Sequence, residues 1–198
     1  MLPSYTSEPA HTNGDLRQPQ GALMIMRLRT FGLGMGLLAL TSGCTSYAIQ
    51  IHTPPPIPPI GPPGAGRICV VRPHRVAMLV PAIVHDNGKL VGMTQGPSYF
   101  CYLAAPGYHR LSTSYGDDID LRMGTSHTQD LTVLLPPSGR LFVHHDVSKI
   151  LTLAVTQLRD AEASQLIAGC DYVSLSSVPS GAQLPDPHEV IAAETPRE

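Results

Sequence analysis

From Arg67 onward, apolar and polar residues alternate along much of the chain. Ile119, Leu121 and Met123 alternate with Asp118, Asp120 and Arg122. Leu131, Val133 and Leu135 repeat the pattern, as do Leu151, Leu153 and Val155. Successive strand side chains point to opposite faces, so a period of two predicts half-buried strands. Arg67–Arg72 (RICVVR) is short and β-branched, and Pro73 ends it. Val76–His85 is apolar throughout, but Pro81 lies inside it and predicts an edge strand or a bulge. Asp86-Asn87-Gly88-Lys89 is the strongest turn signal, because Asn-Gly accepts the positive φ that a tight hairpin requires. Its partner strand is Leu90–Met93. Gly96-Pro97 leads into Ser98–Leu103, with Tyr99, Cys101 and Leu103 on one face and Phe100 and Tyr102 on the other. Further strands are predicted at Tyr108–Tyr115, Gln129–Leu135, Arg140–Val147 and Tyr172–Ser176. Only Asp160–Ala168 reads as a helix, with Asp160 as cap, Gly169 as stop, and Ala163, Leu166 and Ile167 on its inner side. Strands at intervals of roughly eight to twelve residues predict an all-β fold, a small antiparallel β-sandwich with one short C-terminal helix.

Met26–Cys44 follows another pattern. Arg27 and Arg29 precede an uncharged run from Phe31 to Leu40, and Thr41-Ser42-Gly43-Cys44 follows. Basic, apolar, then small is the order of an export signal. The run is about ten residues long, whereas a spanning helix needs roughly 20. Gly32, Gly34 and Gly36 weaken it further as a permanent helix. The segment resembles the bacterial lipoprotein signal. That resemblance implies cleavage after Gly43 and a diacylglycerol-modified, palmitate-bearing Cys44 as the mature first residue. Thr41 stands where such signals most often carry Leu, with Leu40 one place further back. Thr45 replaces the Asp that retains such proteins in the inner membrane, which points to the outer membrane. Residues 1–25 are either a long basic region or precede a true start at Met24 or Met26. Either way they belong to the removed segment.

Two further segments depart from the strand pattern. Thr53–Gly66 (TPPPIPPIGPPGAG) predicts an extended polyproline stalk of roughly 30 Å between membrane and domain. Prolines and acids dominate Pro179–Glu198, which predicts a disordered tail. The expected organisation is signal 1–43, lipidated linker 44–66, β-domain 67–178 and tail 179–198.

Composition narrows the function classes. Roughly 100 residues remain for one core, enough for a single domain. The formal charge of −2 and the lack of a basic stripe argue against nucleic acid as a partner. With Cys44 acylated, Cys69, Cys101 and Cys170 remain, so at most one disulfide forms and three pairings are open. Cys101 with Cys170 is the candidate pair.

Candidate chemistry is sparse. The nine histidines show no metal-binding spacing, and His144 and His145 point to opposite faces of one strand. His74, His85, His109, His127 and His144 form a ligand set only if folding gathers three of them. His109 follows a Pro-Gly turn and reads as structural. Ser98 and Ser126 lack the closing glycine of a nucleophile elbow. Asp117, Asp118 and Asp120 read as a solvated acidic loop. Cys101 has no nearby base to lower its pKa. No catalytic residue, metal or cofactor is expected beyond the covalent lipid.

Arg72-Pro73, Asn87-Gly88-Lys89 with Gly92, Ser98-Tyr99-Phe100 and Pro106-Gly107-Tyr108-His109 form an ordered set. In this order, from Arg67 to Ala168, the chain resembles a family of small bacterial lipoproteins built around one β-sandwich domain of unknown function. The resemblance implies a fold and a lipid anchor but no reaction. The expected role is a non-enzymatic structural or interaction module of the cell envelope, lipid-anchored on the periplasmic side, with the bilayer and an envelope protein as partners. The alternative is an envelope metal-binding protein or hydrolase using the histidines.

Overall fold

A computed structural model of the chain describes residues 46–115, 128–148 and 152–195. The signal segment, Gly43, Cys44, the expected strand around Ile119–Met123, Ser126 and His127 lie outside the described residues. Two sheets enclose one core, as the all-β pattern predicts. The first contains β1 (Ala48–His52), β2 (Gly66–Arg72), β5 (Ser98–Ala104), β8 (Arg140–Ser148), β9 (Thr152–Leu158), β10 (Asp171–Ser177) and β11 (Val190–Ile191). Its order is β1-β10-β5-β2-β8-β9, with β11 also on β5. The second contains β3 (Ala82–Asp86), β4 (Lys89–Thr94), β6 (Gly107–Tyr115) and β7 (Gln129–Leu135), in the order β4-β3-β6-β7.

The small sheet is antiparallel throughout, but the large one is mixed. Strand β2 runs parallel to β8, and β10 and β11 run parallel to β5. The expectation of a purely antiparallel sandwich is therefore corrected. Alternation within each strand cannot report the direction of its neighbours. Strand β2 is central, and Ile68, Cys69, Val70 and Val71 are all buried, as a strand covered on both faces requires. Ile68 and Val70 join Val84, Phe100, Leu111, Val133 and Val143 between the sheets. Cys69 and Val71 face outward beneath α1 (Asp160–Ile167), whose Ala163, Leu166 and Ile167 cover them. The helix begins at Asp160 as expected, but Asp160 does not cap it. Arg159 is its cap residue without a side-chain bond, and Asp160 lies in the first turn.

The Asn87-Gly88 turn forms as predicted, with φ of 50° and 80°. Asn87 Oδ1 accepts Arg110 N–H at 2.8 Å, and Asn87 Nδ2 donates to Ala192 O at 2.7 Å. An aspartate could make only the first of these bonds. Val76–His85 does not form one strand. Residues 76–79 turn, and β3 starts after Pro81, which has no N–H for a ladder.

Three linker, tail and cysteine expectations are overturned. First, the part of the expected linker before the prolines is not irregular chain. Its residues 48–52 form an edge strand paired antiparallel with β10. The proline segment is thus tied to the sheet at both ends. It lies against Tyr99 and Tyr172, with Arg67 Nη2 donating to Pro59 O at 2.8 Å, so it is no free-standing stalk. Second, the tail is ordered to Thr195. Val190 and Ile191 pair with Leu103 and Ala104, Glu194 N–H donates to Tyr108 O, and Lys89 pairs with Glu189. Composition hid this, because one buried isoleucine and a few backbone bonds suffice to hold it. Third, the disulfide joins Cys69 and Cys101, not Cys101 and Cys170. Register decides this, because Cys69 lies directly opposite Cys101 on β5. Cys170 sits just before the start of β10, donating to Leu166 O at 3.2 Å. The bridge spans 32 positions. In the chain-entropy account a loop of that size contributes about 4 kcal/mol.

Gly92 of β4 tests this packing. A Cβ there would meet three atoms of the Phe100 ring at 2.4–2.7 Å. Phe100 is buried and cannot swing aside, so Gly92→Ala should cost about 1–3 kcal/mol. Chemical denaturation should show the loss. Unchanged stability would contradict this close approach of β4 to β5.

Candidate functional site

Strand β2 ends at Arg72. With a period of two, Arg72 falls on the same face as Ile68 and Val70, and so points into the core end. It is 0 % exposed. A buried guanidinium requires acceptors, and the segment after Pro73 folds back to supply them. Nη2 donates to Ala77 O at 2.7 Å and to Val76 O at 3.1 Å. Nη1 donates to Val80 O at 2.8 Å and, more weakly, to Thr94 O at 3.4 Å. Burial lowers the Arg72 pKa from its ordinary value, while Tyr115 and Asp146 act the other way.

The loop around the guanidinium is two-sided. Ala77 and Val80 pack inward on Ala82, Tyr115, Val147 and Leu153. Val76, Met78 and Leu79 face solvent, Leu79 with 80 % of its surface exposed. Val80 N–H donates to Ala77 O at 2.8 Å, and Gln95 Nε2 donates to Leu79 O at 3.0 Å. Ala77 holds φ at 50°, a conformation an L-residue adopts at a cost of roughly 1–2 kcal/mol. The loop is therefore held in one shape by inward bonds while it displays apolar side chains outward. Such an arrangement suits a contact surface.

His145 lies beside the arginine, fully buried, and shares a 3.1 Å hydrogen bond with Thr94 Oγ1 through Nδ1. Burial pushes its pKa down to about 3, with further contributions from Arg72 and His144. The ring is therefore neutral at neutral pH. His144 points the opposite way, as predicted, and its ring meets that of His74 edge to face at 5.7 Å. Burial lowers the His144 pKa, as it does that of His85.

A second polar network lies at the opposite end of the sheets. Asp86 Oδ2 accepts His109 Nδ1–H at 2.7 Å and Tyr102 O–H at 3.0 Å. His109 Nε2–H donates to Ala105 O at 2.8 Å. Ala105 O can only accept, and a carboxylate at Nδ1 also accepts, so this geometry favours the protonated ring. Burial alone would lower the His109 pKa, but the bonds to Asp86 and Ala105 outweigh it and the net shift is upward. The Tyr102 pKa is raised well above its ordinary value by burial and by Asp86. His109 is thus structural, as its turn suggests, but it is buried and paired where a solvated turn histidine would be exposed. With both nitrogens engaged by the fold, neither is open to a metal ion.

The remaining candidates are not gathered. Ser98 Oγ donates to Gly96 O at 3.3 Å and accepts Gln95 N–H at 3.1 Å, so it braces its turn. It stands at the Arg72 end of β5, far along the strand from the His109 network. Among the described residues, no three or more His, Cys, Asp or Glu side chains are placed to hold a metal ion. Burial raises the thiol pKa of Cys170 to about 11, so it is a poor nucleophile. A crevice of about 290 Å³ opens between β4 and β10 beside Pro185–Pro187, with Val91, Met93, Phe100 and Val173 among its lining. Polar groups line it too, among them Asp186 and Ser174, whose Oγ shares a 2.7 Å hydrogen bond with His52 Nε2.

Sequence reasoning missed Arg72, Thr94 and His145 at one end and Asp86 and Tyr102 at the other. The one legible sign was Arg72 itself, a charge at an inward strand position. Comparison of the chain with protein-family models, curated protein sequences and solved structures gives no match in any of the three.

Two predictions follow from the buried charges. Arg72→Met removes the donor and leaves carbonyls of Val76, Ala77 and Val80 without it, so stability should fall by about 3–5 kcal/mol. Urea unfolding measures this, and a loss below about 1 kcal/mol would contradict the bracing role. The second concerns pH. His145 is held neutral, so its contribution is complete above its ordinary pKa of 6.5 and is lost as pH falls toward about 3. Unfolding free energy should drop over that window by about 1.4 kcal/mol for each pH unit attributable to this proton. His145→Gln should flatten that part of the acid limb, and an unaltered slope would contradict a neutral buried ring.

Proposed function

We propose that this protein is a lipid-anchored, non-enzymatic interaction module of a bacterial cell envelope, as the family resemblance suggests. The observation that carries the reading is the order Arg27, Arg29, a short uncharged run and then Gly43-Cys44. The domain supports an interaction role by what it invests in the loop after β2. A buried arginine fixes that loop while Met78 and Leu79 stay in solvent. The buried polar groups support the same reading, since His109 is engaged at both ring nitrogens and His145 is sealed in the core.

The start of β1 and the loop after β2 lie at opposite ends of the large sheet. Ala48 pairs near Ser177, and β10 runs parallel to β5, so β1 starts at the end where β5 finishes. Arg72 pairs with Ser98, where β5 begins. A lipid on Cys44 would hold one pole, and the apolar loop would then point away from that membrane toward an envelope partner. Thr45 favours the outer membrane for that anchor.

Intact mass and peptide analysis of the protein purified from membranes tests this. The mature chain should begin at Cys44 carrying diacylglycerol and an N-acyl chain, and Cys44→Ala should abolish that modification. Recovery of an unmodified peptide running through position 44 would overturn the reading.

A further inference from the structure

We propose that the proline segment is a second membrane contact, a ridge whose Ile57 and Ile60 enter the lipid layer that receives the acyl chains of Cys44. This deepens the anchored reading and rests on it. From Cys44 to Gly66 the sequence contains no Asp, Glu, Lys or Arg. A spacer meant to stand in water has no need to exclude charge over that length, whereas a segment entering lipid does.

Ile57 is 91 % exposed and Ile60 96 %, the two most exposed large apolar residues among those described. They stand three positions apart in a run of prolines, and a polyproline helix repeats every three residues. Both therefore project from one edge. The ridge does not wave freely, because β1 and β2 hold its ends and Arg67 donates to Pro59 O. Little ordering entropy remains to be lost when the two side chains insert.

The geometry brings the later end of the ridge to the lipid. Cys44 is four residues from Ala48, a reach of at most about 14 Å when fully extended. Gly66, where the proline segment ends, pairs with Ala104 at the same pole from which β1 starts. The segment leaves β1 at the opposite pole, because His52 pairs with Tyr172 beside Tyr99, and runs back to the pole from which β1 starts. Ile60, which shares a crevice with Leu103 and Gly139, lies toward that pole, while Leu79 lies on the loop at the other. A lipid layer is the occupant that the ridge's end at the anchor's pole and the absence of charge favour. A proline-reading protein would have to approach within that short reach of the bilayer.

The chain contains no tryptophan, so a single introduced indole reports without background. Ile57→Trp, Ile60→Trp and Leu79→Trp would be made in the full-length, lipidated protein. Each would be reconstituted into phosphatidylethanolamine–phosphatidylglycerol vesicles with or without brominated acyl chains. Interfacial insertion reaches about 5–10 Å into the headgroup boundary, so both ridge reporters should lose about half their emission in brominated vesicles. The Leu79→Trp reporter should be unaffected. If vesicles carry the protein on flotation but the ridge reporters are unquenched, the ridge proposal is overturned and the anchor stands. Equal quenching at all three positions also overturns it, because insertion would not be confined to the ridge. Failure of the protein to float with vesicles overturns both readings.

Discussion

The domain is organised around a charge in its interior. Burying a guanidinium is costly unless acceptors replace its water, and here backbone carbonyls of Val76, Ala77, Val80 and Thr94 surround it. Three of those carbonyls belong to a segment with little reason to fold otherwise. Residues 76–79 form no strand, and Ala77 adopts an unfavourable backbone angle. The arginine therefore imposes order on the loop, and the Thr94 bond ties it to the small sheet. The cost falls on neighbours too. His145 is kept neutral beside the cation, and its Nε2 has no partner among the described residues.

The other pole is built on the same logic with different chemistry. A buried acidic side chain, Asp86, gathers the His109 ring and a tyrosine hydroxyl. His109 in turn fixes the turn at Ala105, whose N–H donates to Ile191 O on the returning tail. Asn87 and Lys89 hold the same tail from the hairpin. Each end of the two-layered core is thus closed by a buried polar group that orders a segment of irregular chain. The middle is closed by apolar contact, with the Cys69–Cys101 bridge crossing the outer face of the two central strands.

Local features of the sequence were legible because their causes are local. Asn87-Gly88 specifies its turn through backbone preference alone. The alternation at Leu131, Val133 and Leu135 reports which face is wet, and Ala163, Leu166 and Ile167 report the covered side of the helix. What could not be read depends on partners distant in sequence. The parallel pairing of β2 with β8 leaves no trace in either strand's alternation. The choice of Cys69 over Cys170 follows from register between strands. Proline composition concealed that β1 precedes the proline segment and ties it down, and the tail's polarity concealed its strand. The buried polar groups were hidden for a related reason. Arg72 and Asp86 look like ordinary strand-end charges until the opposing elements bury them.

The central claim is that Arg72 holds the exposed loop in a single, preformed shape. Amide hydrogen exchange on the native protein, followed at Val80, tests it directly, because Val80 N–H donates to Ala77 O inside the arginine's carbonyl ring. The account predicts protection at Val80 comparable to that of Ile68 and Val70 in β2, released only by opening of the core. Exchange at Val80 near the rate of an unstructured peptide, with β2 still protected, would contradict it.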